Sequence, residues 1–232
     1  MLKRLLDKLS GLNTLYYPGC MTAHLLPHIQ RRYEGLLRAI GTDFIVLPQG
    51  EIFCCGSPVH RAGYPDDFHH LRDHNLEVFH RFSVKRIISN CPACVYTFKE
   101  FYHMESWHVA EVVFRRGRRI SSRAPTMEDG TIAYHHPCHM SRYLEVKKEP
   151  LEILRRHGYN PVEVGLDGNP NPCCGAGGGL QANEPDLAGA IAQDLLAGLQ
   201  QNRLVTSCPL CYMHLQRHAG GIKVIELGEL LE

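Results

Sequence analysis

The sequence has almost no net charge, no long apolar run and none of the common nucleotide or ferredoxin fingerprints. Each absence narrows what the chain can be. Lys and Arg number 25 against 24 Asp and Glu, a formal net charge of +1. No global field therefore draws it to nucleic acid or to an anionic membrane. No stretch approaches the roughly 18 apolar residues of a membrane-spanning helix, so no direct membrane span is expected. The opening MLKRLLDKLSGLN is broken by charges and lacks the apolar core and cleavage site of an export signal. Leu2, Leu5, Leu6 and Leu9 fall instead on one face of a short amphipathic helix over residues 1–13. The expected compartment is the cytoplasm, with any membrane association supplied through partners. There is no Gly-x-Gly-x-x-Gly for a flavin or nicotinamide and no Cys-x-x-Cys-x-x-Cys-x-x-x-Cys ferredoxin run. The chain thus has no evident wire of its own to a soluble electron donor.

What the sequence does hold is ten cysteines. Five disulfides would mean a small, loop-rich exported scaffold, whereas this chain of 232 residues carries long helical and strand patterns. Metal or redox chemistry fits better. The densest stretch, Asn171 to Leu180, reads NPCCGAGGGL. Neighbouring side chains on an extended chain point to opposite faces, so vicinal cysteines meet one ligand only where the backbone bends sharply. Gly175, Gly177, Gly178 and Gly179 supply such bends and let main-chain N–H groups approach a bulky or anionic ligand. The same device stands earlier as Phe53-Cys54-Cys55-Gly56-Ser57.

In order along the chain, strand Thr14 to Tyr17 leads to Pro18-Gly19-Cys20, and a helix is expected over 28–40, stopping at Gly41. A strand over Phe44 to Leu47 leads toward Cys54-Cys55. A histidine-rich helix over 65–82 and a strand over Arg86 to Ser89 lead to Cys91-Pro92-Ala93-Cys94. After a lapse of pattern from 115 to 130, read as a basic linker, the scheme begins again. Strand Thr131 to Tyr134 leads to His135-His136-Pro137-Cys138, and a helix over 149–157 is followed by strand Pro161 to Val164 before Cys173-Cys174. A long helix over 186–200 and strand Leu204 to Thr206 lead to Cys208-Pro209-Leu210-Cys211. Cys20 to Cys138 is 118 positions, Cys54 to Cys173 is 119 and Cys91 to Cys208 is 117, and no cysteine is left over. Two homologous halves, 14–114 and 131–232, are expected. The fold expected is α/β: two pseudo-symmetric Rossmann-like βαβ halves, with metal sites at the strand carboxyl ends facing a shared cleft.

Thiolates are soft ligands, suited to iron–sulfur clusters or to zinc. Five cysteines overfill a tetrahedral zinc site, whereas a multinuclear cluster can use a fifth as a bridge. Structural zinc in one or both halves remains an alternative. A metal-free thioredoxin-like role for the two Cys-Pro-x-Cys motifs leaves six cysteines unexplained. The glycines after Cys174 lack the Lys and Ser/Thr of a phosphate-binding loop. His135, His136 and His139 stand near Cys138, and His24 and His60 near the first set; proton delivery, ligation and plain structure are all open to them.

Cys20…Cys54-Cys55-Gly56…Cys91-Pro92-Ala93-Cys94, repeated as Cys138…Cys173-Cys174-Gly175…Cys208-Pro209-Leu210-Cys211, resembles the cysteine-rich CCG domain pair. That pair occurs in the B-type subunit of heterodisulfide reductase and in the C-terminal, catalytic half of its D-type subunit. Tyr134-His135-His136-Pro137-Cys138-His139 and Cys173-Cys174-Gly175-Ala176-Gly177-Gly178-Gly179 are especially similar to the D-type subunit and to glycolate oxidase iron–sulfur subunits. Lactate-utilisation iron–sulfur proteins share the length and plan. The resemblance implies two noncubane [4Fe–4S] clusters, one on Cys20, Cys54, Cys55, Cys91 and Cys94 and one on Cys138, Cys173, Cys174, Cys208 and Cys211. Some relatives carry zinc in the N-terminal half. It further implies a catalytic subunit that reduces, or reversibly forms, a small-molecule disulfide held between the clusters. Expected partners are a ferredoxin-like [4Fe–4S] protein, the C-type subunit of such complexes, and a flavoprotein, their A-type subunit. The alternatives are an electron-transfer subunit of a glycolate- or lactate-type flavin dehydrogenase and a zinc-stabilised assembly module.

Overall fold

The computed structural model describes residues 13–48, 50–51, 54–117, 130–165 and 171–231. The amphipathic helix expected over 1–13, apart from Asn13, and positions 118–129 of the expected linker lie outside the described residues.

The described chain begins with strand β1 (Asn13–Tyr16), then helices α1 (Cys20–Leu25), α2 (Pro27–Ala39), α3 (Ser57–Arg61) and α4 (Pro65–Arg81). Strand β2 (Val84–Ser89), helix α5 (Pro92–Glu100), strand β3 (Glu105–His108) and helix α6 (Val109–Arg116) follow. Beyond position 130 come β4 (Thr131–His135), a π-helical turn (His139–Tyr143), α7 (Lys148–Arg156), β5 (Asn160–Glu163), α8 (Leu180–Asn183) and α9 (Pro185–Ala197). Strand β6 (Arg203–Thr206), α10 (Pro209–Arg217), β7 (Lys223–Glu226) and a 3-10 turn (Leu227–Leu230) complete it. Arg115 and Arg116, read from the sequence as the start of the linker, close helix α6 instead.

Each half builds one all-parallel sheet, in the order β1-β2-β3 and β5-β4-β6-β7. Parallel neighbours need crossovers, and the helices between the strands provide them. The strand expected over Phe44 to Leu47 reduces to a single bridge, Ile45 beside Leu15. Tyr16 N donates to Ile45 O at 2.9 Å and Ile45 N to Thr14 O at 2.8 Å. Pro48 has no N–H with which to extend the ladder. With Ile45 counted, the first sheet reads in the same order as the second.

Helix α2 buries Ile29, Tyr33, Leu36 and Leu37, the spacing of one helical face, behind Pro27 in its first turn. Helix α4 has Asp66 and Asp67 in its first turn and His80 and Arg81 in its last, as the helix dipole favours. Strand alternation then divides the core. Leu15, Tyr17 and Ile87 pack with Phe68, Phe79 and Phe98 on the first half's own side. Tyr16 and Ile88, one residue out of phase, face the opposite way and join a core that runs on through Ile132, Leu204 and Leu227 of the second half. The two halves therefore share apolar substance rather than meeting at a polar seam. Their contacts are reciprocal: α1 meets α10 while the π-helical turn meets α5, and α2 meets the 3-10 turn while α6 meets α7.

Candidate metal centre

Every cysteine group follows a strand or its connection. Cys20 opens α1 just past β1, with Gly19 at φ 80° before it. Cys91 caps α5 after β2, placing Cys94 in the first turn; Cys208 caps α10 after β6, placing Cys211 likewise. Proline at the first helical position suits both starts, because the N–H it lacks would have had no partner. The Cys-Cys pairs turn on glycines: Gly56 has φ +87° and Gly175 φ +89°. A Cβ on Gly56 would lie 2.6 Å from the Phe68 ring, and one on Gly175 would lie 2.8 Å from Ala188 O. Neither position admits a side chain.

All ten thiols are free, and the structure gathers them into the two sets of five that the sequence repeat defines. In the first set, neighbouring thiols interact in the order Cys20, Cys54, Cys55, Cys94, Cys91. In the second they run Cys138, Cys173, Cys174, Cys211, Cys208, the corresponding positions in the same order. Cys174 Sγ stands 3.1 Å from Cys211 Sγ. Main-chain amides add to both: Gly56 N donates to Cys54 Sγ at 3.5 Å, and Gly175 N to Cys173 Sγ at 3.4 Å.

A thiol that accepts from its neighbours is stabilised as thiolate. Hydrogen bonds from Cys54 and then Cys94 pull Cys55 down to about 5. Cys173, accepting from Cys138 and Cys174, lies well below the usual thiol range, and Cys208 is lowered by Cys211. The other shifted thiols move the opposite way. Cys20 and Cys138 are raised, first by the bonds they give to Cys54 and Cys173 and then by burial. Cys54, Cys94, Cys174 and Cys211 are raised as well. Each set thus holds at least one thiol already shifted towards the thiolate that a metal requires, Cys55 in the first and Cys173 and Cys208 in the second.

The carbonyls of the bends are tied down by residues whose role composition did not announce. Asn75 Nδ2 donates to Cys54 O at 3.1 Å and to Tyr102 Oη at 3.0 Å, and Tyr102 Oη donates to Cys55 O at 3.1 Å. The one available signal was Asn75 itself, a polar residue on the apolar stripe of Phe68, Val78 and Phe79. In the second half His135 does this work. Its Nε2 donates to Pro172 O at 3.1 Å, which leaves Nδ1 to accept from Thr206 Oγ1 at 3.1 Å. Burial pushes His135 down to about 4, consistent with that neutral form.

The other histidines divide. His136 Nε2 pairs with Glu163 at 2.7 Å, away from the thiols. His139 Nδ1 lies 3.5 Å from Cys138 Sγ, its ring between Tyr96 and Tyr143. His60 stacks on Phe101 at 4.3 Å and Phe68 at 4.9 Å. Two recesses flank this ground. A groove of about 310 Å³ between the halves is lined by His60, Arg61, Tyr96 and Phe101 of the first and Tyr143 of the second. A cleft of about 560 Å³ opens against Cys20 and Cys54.

Among the described residues, no three His, Cys, Asp or Glu side chains are placed to hold a metal ion as they stand. The thiols lie in contact with one another instead. The donor chemistry nonetheless fits an iron–sulfur group: five soft ligands per set, at least one thiol in each already shifted towards thiolate, amides aimed at sulfur, and glycines that leave the backbone bare.

Comparison with known proteins agrees. The profile of the family described as CCG, the cysteine-rich domain, matches residues 14–99 and again 132–216. An iron–sulfur protein of Methanococcus maripaludis is 30% identical over 210 residues, covering 87% of this chain and 40% of its own length. The D-type subunit of the dihydromethanophenazine:CoB–CoM heterodisulfide reductase of Methanosarcina acetivorans is 27% identical, covering 94% of this chain and 57% of itself. Lactate utilization protein A of an Exiguobacterium strain is 24% identical, covering 94% of this chain and 96% of itself. The chain therefore spans about half the length of the first two.

Proposed function

This chain belongs to the family of cysteine-rich CCG domains, and from that premise we propose that it is the catalytic iron–sulfur subunit of a heterodisulfide-reductase-like complex, reducing or reversibly forming a disulfide. The observation that carries the reading is the pair of five-thiol sets, in which neighbouring thiols interact in the same order and Cys174 Sγ stands 3.1 Å from Cys211 Sγ. Cys20, Cys54, Cys55, Cys91 and Cys94 would hold one noncubane [4Fe–4S] cluster, and Cys138, Cys173, Cys174, Cys208 and Cys211 the other. The reciprocal packing of α1 on α10 and of the π-helical turn on α5 supports a pseudo-twofold relation between the halves. Zinc in the N-terminal half is the competing occupant.

When bound, such clusters supply single electrons and iron atoms with an affinity for sulfur. Reducing a disulfide consumes two electrons and two protons. The chain's own contribution is to place and neutralise. The amides of Gly56 and Gly175 offset negative charge on Cys54 and Cys173. His139 sits where its Nδ1 can exchange a proton beside Cys138. The groove bearing Arg61 and His60 lies between the halves but is lined by no thiol. Electrons would arrive from a ferredoxin-like protein and a flavoprotein, in keeping with the Methanosarcina relative's being one subunit of a reductase.

A second reading has its own support. The lactate utilization protein aligns over 96% of its length, which favours an electron-transfer subunit of a glycolate- or lactate-type flavin dehydrogenase. Two measurements decide. Anaerobically prepared protein should carry about eight iron and about eight acid-labile sulfide, as two four-iron clusters require; zinc without sulfide rejects the cluster reading. Viologen-driven reduction of low-molecular-weight disulfides then separates catalyst from carrier, a carrier showing no turnover.

A further inference from the structure

The two recesses differ in chemistry, and only the larger is lined by thiols. The groove between the halves presents Arg61 and His60 among aromatic rings. The larger cleft presents none of this. It is walled by Tyr17, Pro18, Ala23, Val46, Leu47 and Pro48, with Cys20 and Cys54 at its floor. His24 and Gln30 are its polar side chains beside the thiols and the Tyr16 and Tyr17 hydroxyls, and no Lys, Arg, Asp or Glu lines it among the described residues. The Tyr16 hydroxyl is already engaged by Asn90 Oδ1 at 3.1 Å, and the Gln30 amide by Glu34 at 2.9 Å.

Cys20 is exposed, so the cleft leads from solvent to a thiol of the first set. Its volume of about 560 Å³ is that of a small-molecule site. A charged group entering it would lose water and meet no opposite charge, which is unfavourable. An apolar group would gain by contact with Val46, Leu47, Pro48 and Ala23. Val46, at 39% exposure, stands at the mouth as an apolar surface residue not yet covered.

We infer that this cleft is a binding site for the uncharged, mainly apolar arm of a thiol or disulfide, which it delivers to the Cys20–Cys54 edge of the first set. The inference rests on the disulfide chemistry proposed above and adds a selectivity to it: the arm that enters beside Cys20 carries no ionised group.

The test is anaerobic titration calorimetry of the as-purified protein with two thiols of similar size, neutral 1-butanethiol and anionic 3-mercaptopropionate. Butanethiol should bind about tenfold more tightly or better, with a negative heat-capacity change. Val46→Trp, which fills the mouth, should weaken butanethiol by about tenfold. Val46→Lys, which brings a cation to the wall, should narrow or reverse the preference. Iron and sulfide content at the wild-type level certifies that both variants are folded and loaded. Equal or tighter binding of 3-mercaptopropionate, no binding of either thiol, or a Val46→Trp variant with unchanged affinity would each overturn the assignment. Protein lacking iron and sulfide yet binding butanethiol in a Val46-dependent way would instead sink the functional reading and leave the cleft assignment standing.

Discussion

Tyr33 on α2 donates a 2.8 Å hydrogen bond to Glu226 Oε1 at the end of β7, joining two buried side chains from opposite halves. The other carboxylate oxygen accepts from Gly228 N at 2.7 Å, and Glu226 N donates to Glu229 at 2.8 Å. His108 holds the matching place in the first half. Its Nδ1 accepts from Ala110 N at 3.2 Å, and its own N–H donates to Glu111 at 2.8 Å. The same capping arrangement thus closes both halves, built once on an imidazole and once on a carboxylate.

Stability should respond to pH through Glu226. Burial raises its carboxyl to about 8, against the downward pull of Tyr33 and Gly228. Between the ordinary carboxyl value of 4.5 and about 8 the folded chain holds a proton that the unfolded chain has released. Stability therefore falls as pH rises through that window, by up to about 1.4 kcal/mol per pH unit. Glu226→Gln should flatten this part of the profile, read by denaturant unfolding from about pH 5 to about pH 8. An identical slope in both proteins would refute it.

Tyr33→Phe should cost about 1–3 kcal/mol, because it leaves a buried carboxyl oxygen without its donor. The loss should appear as a lower unfolding midpoint at unchanged m-value, and it should vanish in the Glu226→Leu background. Additive costs would show that the two side chains act separately.

Gly56→Ala and Gly175→Ala should each deplete the iron and sulfide of their own half. Both sites combine positive φ with a Cβ placed 2.6 Å and 2.8 Å from its nearest neighbour, so the bend that aims the vicinal cysteines must move. Retained full metal content in either variant would mean that the bend does not govern loading.

Cys55→Ser and Cys174→Ser should each halve the iron content, to about four per chain, and abolish disulfide reduction. Loss of all metal from one substitution would show that the two sets do not load independently. Near wild-type turnover in either variant would favour the electron-carrier reading.

Much of this was legible because strands, turns and thiols repeat in register. Cysteine spacing defined two sets of five, and the helices read from periodicity fell within a few residues of their patterns. Phe44 to Leu47 was over-read, since its composition is that of a strand but pairing stops at Ile45; the short strands β3 and β7 were not read at all. Tyr102 and Tyr33 were invisible because each acts through a partner distant in sequence, and no local pattern encodes such a bond; Asn75 showed only as a polar residue on an apolar stripe, with nothing to name its partners. His135 was visible as a residue near a cysteine, but only the Thr206 and Pro172 contacts reveal that it braces the chain.

The shared core also sets the order in which the protein can be finished. As the chain leaves the ribosome, the first sheet can cover one face with its own helices α4 and α5, yet Tyr16, Tyr33 and Ile88 wait on the other for Leu227 and its neighbours. Glu226 emerges 193 residues after Tyr33. Until then the nascent first half, with only its own α2 and α6 on that side, displays an incompletely covered apolar face beside five free thiols, which is a state for chaperones to guard and for oxidants to exploit.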